Sequence, residues 1–122
     1  MATSPTSRTL KYLKDKGHYV GVVERFLAFA GKFGQRKDLF NIIDIIAITK
    51  EGILGVQSCG QAFSEHDKKI LAEPMSKIWL ESGAGLLLIG WRKVKVKRGG
   101  KAMVWEPRIK YYGLEDFEEE VV

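Results

Sequence analysis

The stretch from Phe40 to Gly60, FNIIDIIAITKEGILGVQSCG, constrains the fold more than any other. It reads as two short apolar strands, Leu39 to Ile48 and Ile53 to Ser58. A tight turn at TKEG joins them and makes them antiparallel neighbours. Each strand carries one polar residue in its apolar run, Asp44 in the first and Gln57 in the second. A polar group buried without a partner costs several kcal/mol, and a buried charge costs more. Asp44 and Gln57 are therefore either satisfied by partners or line a site. They lie thirteen residues apart, a separation that a short turn closes to bring them side by side.

The rest of the chain surrounds this hairpin with alternating element types. Thr6 to Lys16 has helical spacing, with Leu10 and Leu13 on one side and Gly17 as a stop. HYVGVVERFLAF is rich in β-branched and aromatic residues and predicts a strand, whereas AGKFGQRKD predicts a turn or exposed loop. Ser64 stands where a second helix needs a cap, with Glu65 and Asp67 in the first turn, where the helix dipole favours acids. Ile70, Leu71, Ile78 and Trp79 continue the helical spacing, and Pro74 predicts a kink or two short helices. GLLLIGW predicts a strand buried on both faces, and VKVKRGGKAMVWEPRI alternates about Gly-Gly as a final hairpin should. The expected order is α-β-β-β-α-β with an added C-terminal hairpin: one α/β domain over residues 1–114, then an acidic tail at 115–122.

Composition narrows the function classes. A chain of 122 residues, 45% hydrophobic and 29% charged, can bury a core and is not a disordered type. One cysteine excludes an internal disulfide and points to a reducing compartment. The apolar runs are too short to span a bilayer, and MATSPTSRTLKYLKDKG lacks a signal-peptide core. The expectation is a cytoplasmic protein without a membrane partner. The net charge of +5 conceals an asymmetry, because EDFEEEVV holds five of the fifteen acids. Without those five, ten acids face twenty bases, a formal +10. A body that basic is either an electrostatic footprint for a polyanion or a solubility surface. The acidic tail is either a solvated end or a phosphate mimic that guards the basic face.

Two oxygen-bearing side chains on adjacent strands, Asp44 and Gln57, with the Ser58 carbonyl beside them, suit a hard cation such as Mg²⁺. Glu24 on the preceding strand is a candidate third oxygen, and Asp38 stands just before the second strand. An ion held there beside a phosphodiester activates water and stabilises the leaving oxygen. The bland readings remain open: a hydrogen-bonded core for Asp44 and Gln57, and a surface pair for Glu24 with Arg25.

The element order, the Asp after an apolar residue on the second strand, and QSC on the third together resemble the PD-(D/E)XK nuclease superfamily. The spacing is similar to that of archaeal Holliday-junction resolvases. The fuller pattern RKDLFNIIDIIAI, GILGVQSCG and GWRK is similar to small phage and bacterial members with Gln in place of the acid. The resemblance covers roughly Leu10 to Lys93 and implies a restriction-endonuclease-like αβββαβ core with a mixed sheet flanked by helices. It implies a structure-selective DNA endonuclease using Mg²⁺ or Mn²⁺, acting on branched DNA in a host cytoplasm, possible as a homodimer because two cuts need two sites. Asp44 becomes the metal-binding aspartate, and Gln57 replaces the acid of the third strand. Cys59 occupies the lysine position, a departure, since a thiol supplies no ammonium and is a poor Mg²⁺ ligand. Lys68 and Lys69 on the second helix, or else Lys37 or Lys93, are candidates for the missing ammonium, and Glu65 or Asp67 for the missing acid; the alternative for Lys68 and Lys69 is an exposed helix face. The alternative is an inactive nucleic-acid-binding module on the same fold.

Arg36, Lys37, Arg92 and Lys93 are candidate phosphate contacts, as are Lys95, Lys97, Arg98 and Lys101 on the last hairpin. Alternation puts Lys95 and Lys97 on one face and Val94 and Val96 on the other. Such a stripe meets a nucleic-acid backbone without reading bases, or protects an exposed sheet edge. His18 and His66 have no spacing that assigns them.

Overall fold

A computed structural model describes residues 4–27 and 35–118, with backbone alone at 26–27 and 35–36. The elements in order are α1 (Pro5–Asp15), β1 (Tyr19–Val22), β2 (Arg25–Leu27), β3 (Gln35–Lys37), β4 (Ile45–Thr49), β5 (Gly52–Cys59), α2 (Phe63–Ala72), α3 (Pro74–Glu81), β6 (Gly85–Lys95) and β7 (Met103–Tyr112). A 3-10 turn at Leu114–Phe117 follows. Five strands form one mixed sheet in the order β1-β4-β5-β6-β7; β5 and β6 run parallel and every other pair antiparallel. β2 and β3 pair separately as a small two-stranded sheet.

β6 is the centre of the molecule because its side chains are apolar on both faces. Leu86 and Leu88 enter a core with Ile42, Ile43, Phe63, Ile70 and Tyr112, beneath α2 and α3. Leu87, Ile89 and Trp91 point the other way, to Leu13 of α1 with Ile45, Ala47 and Val56. Burying each such side chain contributes about 1.5–3 kcal/mol, so the parallel β5–β6 pairing is held from both sides. Gly90 is required here: a Cβ would meet the Phe63 ring at 2.7 Å, so α2 can pack this close only over a glycine.

Several expected boundaries move. Residues 39–43 do not extend the second strand; Leu39 and Ile43 exchange backbone hydrogen bonds across a tight turn, with Phe40 and Asn41 at φ 54 and 66. Asn tolerates that left-handed backbone, whereas Phe40 is strained there. The turn drives Ile42 and Ile43 into the core and leaves Asp44 at the entrance to β4. The single strand expected at HYVGVVERFLAF divides, because β1 pairs with β4 only as far as Val22 and the chain then turns off into β2. Part of the expected loop, Gln35–Lys37, is strand β3; residues 28–34, the end of the expected strand and the start of the loop, lie outside the described residues. Ser64 is not the cap: α2 begins at Phe63, which burial against Gly90 draws into the first turn. Pro74 does divide the helical run, as the first residue of α3. The C-terminal hairpin is no appendage, since β6 is continuous from Gly85 to Lys95 and β7 is the fifth strand of the main sheet. No helix is long and apolar enough to cross a membrane among the described residues.

Candidate functional site

The end of the sheet where β4 begins and β5 finishes opens into a cleft of about 640 Å³. Its walls are Ser4, Pro5 and Thr6 from the start of α1, Val22 and Glu24 from the end of β1 onward, Asp38, Asp44, Gln57 and Ser58, and His66 of α2. The hairpin brings Asp44 and Gln57 together because Ile45 stands opposite Val56, which puts the next residues outward beside each other.

Asp44 is 5% exposed and Gln57 is 2% exposed. The Ser58 backbone N–H donates to both Asp44 carboxylate oxygens, at 3.1 and 3.2 Å. Gln57 Nε2 donates to Asp44 Oδ2 at 3.3 Å and to Asp38 Oδ2 at 3.2 Å, so one amide bridges two carboxylates. The same Asp38 oxygen lies 3.8 Å from Lys69 Nζ. Burial pushes the Asp44 carboxyl from the usual carboxylate range up to about 7; the Ser58 N–H opposes this, and the Asp38 and Glu24 charges reinforce it. Gln57 Oε1 and His66 Nδ1 are buried without a hydrogen-bond partner among the described residues. Burial and the Lys69 ammonium hold the His66 imidazole below its ordinary value, in the neutral form.

A buried relay fixes this geometry from below. Trp91 Nε1 on β6 donates to Thr9 Oγ1 of α1 at 2.8 Å, and Thr9 Oγ1 lies 2.8 Å from Ser58 Oγ. The residue whose N–H holds Asp44 is thus itself tied to α1 and to β6. Thr9, Trp91, His66 and the Ser4–Thr6 segment are the parts that sequence reasoning missed, since no local spacing links residues 49 and 82 positions apart.

Of the residues expected here, Asp44, Gln57, Asp38 and Glu24 line the cleft, as does Ser58. Ser58 meets Asp44 through its N–H rather than through the carbonyl expected to face a metal. Lys69 reaches the cleft's edge through Asp38, whereas Lys68 is exposed and lines no part of it. Neither proposed substitute acid is in place: Glu65 is exposed outside the cleft, and Asp67 points to Lys110 Nζ at 2.8 Å and Tyr112 OH at 2.6 Å. Cys59 is 5% exposed among core residues, and burial first, then the Asp44 charge, pushes its thiol up to about 11. It is a neutral packing residue at neutral pH. Lys37 is exposed beside Asp38 on an adjoining hollow, and the Arg36 side chain lies outside those described. Arg92, Lys93, Lys95, Lys97, Arg98 and Lys101 are exposed on β6 and the turn after it, and do not line the cleft.

The donor set is oxygen-rich. No three His, Cys, Asp or Glu side chains gather tightly enough to cage an ion among the described residues. Two carboxylates and an amide do converge, with an orphaned amide oxygen and a carboxyl kept partly protonated by burial and by its acidic neighbours. Rotating the Gln57 amide would present Oε1 beside the carboxylates, where a hard divalent cation would give the orphaned oxygen a partner and favour the ionised Asp44 carboxylate. Asp44, Asp38 and Gln57 are the residues that would hold such an ion, as a partial oxygen set rather than a complete cage. Comparison with known proteins finds no matching family model, no matching curated protein and no matching solved structure.

Proposed function

We propose that the chain is a PD-(D/E)XK-type nuclease that hydrolyses phosphodiester bonds in branched DNA with the help of Mg²⁺ or Mn²⁺. The observation that carries the reading is the Gln57 amide bridging Asp38 and Asp44 in an open cleft, at the ends of adjacent strands. The mixed sheet, with its parallel β5–β6 pair and helices on both faces, supports it. Asp44 and Gln57 would hold the ion, with Asp38 and Glu24 adding negative charge around it. When bound, the ion would supply Lewis-acid activation of water and of the leaving oxygen. The Ser58 N–H and the relay to Thr9 and Trp91 orient the Asp44 carboxylate. Lys69 brings the ammonium that Cys59 does not, and its charge offsets part of the charge that builds on a phosphate under attack. A homodimer would place two such clefts on the two strands of a junction.

The rival reading, a DNA-binding module without chemistry, is favoured by one observation: the thiol at the lysine position is sealed in the core. Incubation of linear, flapped and four-way-junction DNA with Mg²⁺, Mn²⁺ or EDTA separates the two. Metal-dependent cutting, reduced more than about 100-fold in Asp44→Ala with folding intact, is the expected result, since even outer-shell partners of a metal are worth 10–100-fold. Tight binding with no cutting in any metal would overturn the nuclease in favour of the module.

A further inference from the structure

Gly90 of β6 stands beside Cys59, the last residue of β5. β6 nonetheless runs on to Lys95, paired with β7 throughout, from Trp91 opposite Pro107 to Lys95 opposite Met103. The two strands leave the sheet as an arm, extending about 16 Å beyond Gly90 at ~3.3 Å per residue before the turn. It leaves at the cleft's end, because Gln57 and Ser58, which line the cleft, immediately precede Cys59 on β5.

The arm is braced at its base. Trp91 is tied to Thr9 of α1, and the Arg8 guanidinium lies over the Trp105 ring at 3.5 Å. Lys93 Nζ is 5.4 Å from the same ring. From Trp91 to Trp105 the chain holds six bases and no acid. All six bases are exposed; Glu106 lies 3.8 Å from Arg92 and answers one of them. The acids Glu115 and Asp116 follow Tyr112, which pairs with Leu86 at the other end of β6, so they do not neutralise the arm. Register places Lys93 and Lys95 with Trp105 and Met103 on one face, and Val94 with Val104 on the other. Val104 is 48% exposed, and Val96, in the turn, is 63% exposed.

We propose that this arm seats in the major groove of a B-form DNA duplex lying across the cleft, with its lysines on the phosphates and its valines toward the base edges. A two-stranded ribbon fits a major groove about 12 Å wide, whereas the A-form groove of duplex RNA is too deep and narrow for side chains to read. Closely spaced phosphates match this run of bases, of which only Arg92 has an acidic partner among the described residues, and exposed valines have apolar partners in thymine methyl groups. The assignment of this duplex as the cleft's substrate rests on the nuclease reading; the binding itself needs no metal.

Fluorescence anisotropy of the full chain in EDTA, over a salt series, tests it. The probes are a 20-bp DNA duplex and the RNA duplex of the same sequence. The variants are Lys95→Glu/Lys97→Glu and the milder Lys95→Gln/Lys97→Gln, each checked for thermal unfolding. The expected result is DNA binding about 10-fold or more tighter than RNA binding. Each variant loses about 10–100-fold in affinity, and the salt slope falls by about one per lysine removed. Equal affinity for both duplexes, or an unchanged slope in both variants, overturns the arm's role. Arm-dependent DNA binding without metal-dependent cutting keeps this inference and removes the nuclease. Cutting that ignores both variants does the reverse, and no salt-sensitive affinity at all overturns both.

Discussion

Asp44 and Asp67 both lie against the main sheet, and their surroundings have opposite electrical character. Asp67 on α2 accepts from the Lys110 ammonium and the Tyr112 hydroxyl, both on β7. Partial burial alone would raise its carboxyl, but those donors and the nearby Arg108 outweigh it and hold the group below its ordinary value. Its partner Tyr112 is pushed the other way, its hydroxyl held firmly protonated by burial and by Asp67. Asp44 is more deeply buried and faces two other acids, with an amide and one N–H as its donors among the described residues. A carboxylate that folding has surrounded with donors is a staple. A carboxylate that folding has buried beside other acids is held at a cost, and a cation or a proton relieves it.

The largest consequence is a pH dependence of opposite sign at the two residues. Between pH 4 and about 7 the unfolded chain has lost the Asp44 proton while the folded chain retains it. Stability attributable to Asp44 therefore falls as pH rises through that window, by on the order of 4 kcal/mol in all. Urea unfolding in EDTA from pH 4.5 to 7.5 should show this slope in the wild-type chain and its loss in Asp44→Asn. His66 contributes in the opposite direction, but equally in both proteins, so the difference isolates Asp44. If Asp44 holds the proposed ion, Mg²⁺ at pH 7 should recover stability in the wild type alone. Equal slopes in the two proteins would remove the strain from Asp44 and collapse the contrast.

A smaller effect is expected at the staple. Asp67→Ala strands the Tyr112 hydroxyl and the Lys110 ammonium and should cost about 2 kcal/mol at pH 7; on the proposed nuclease reading it should leave DNA cleavage unchanged. Because the folded carboxyl lies low, its stabilisation is present above about pH 4 and is lost as pH falls below that. The variant should accordingly unfold with a weaker acid limb than the wild type. Cleavage that fell together with stability would place Asp67 in the site after all and blur the distinction.

The smallest effect sharpens the comparison from beneath. Thr9→Val keeps the shape of a fully buried side chain but removes the oxygen shared by Trp91 and Ser58. The expected loss is about 1–2 kcal/mol, measured by urea unfolding. On the proposed nuclease reading, cleavage should drop by about 10-fold with the Mg²⁺ requirement shifted upward, as for outer-shell partners of a metal site. Unchanged metal dependence would confine the relay to packing.

Much of the fold was legible because it is local. Four residues at TKEG set the register that makes Asp44 and Gln57 neighbours, and no distant contact is needed for it. GLLLIGW announced a strand covered on both faces, and Pro74 announced a kink or two short helices, of which the structure has the second, since both follow from side-chain chemistry at consecutive positions. The alternation of lysine and valine on β6 likewise survives as opposite faces of the arm. The strand expected from Leu39 failed because apolar content alone does not reveal a left-handed turn at Phe40 and Asn41.

The sequence by itself thus determined the central β4–β5 hairpin and the buried strand β6, which polar pair interrupts that hairpin and where the positive charge collects. Tertiary structure alone decided what surrounds each carboxylate. Asp38 reaches Gln57 by way of the turn at 39–43, His66 enters the cleft because Phe63 anchors α2 over Gly90, and Asp67 meets residues 43 and 45 positions away on β7. Such neighbours are chosen by how layers pack, not by any period along the chain. The same residue type, aspartate, therefore became a staple in one place and a strained candidate ligand in the other.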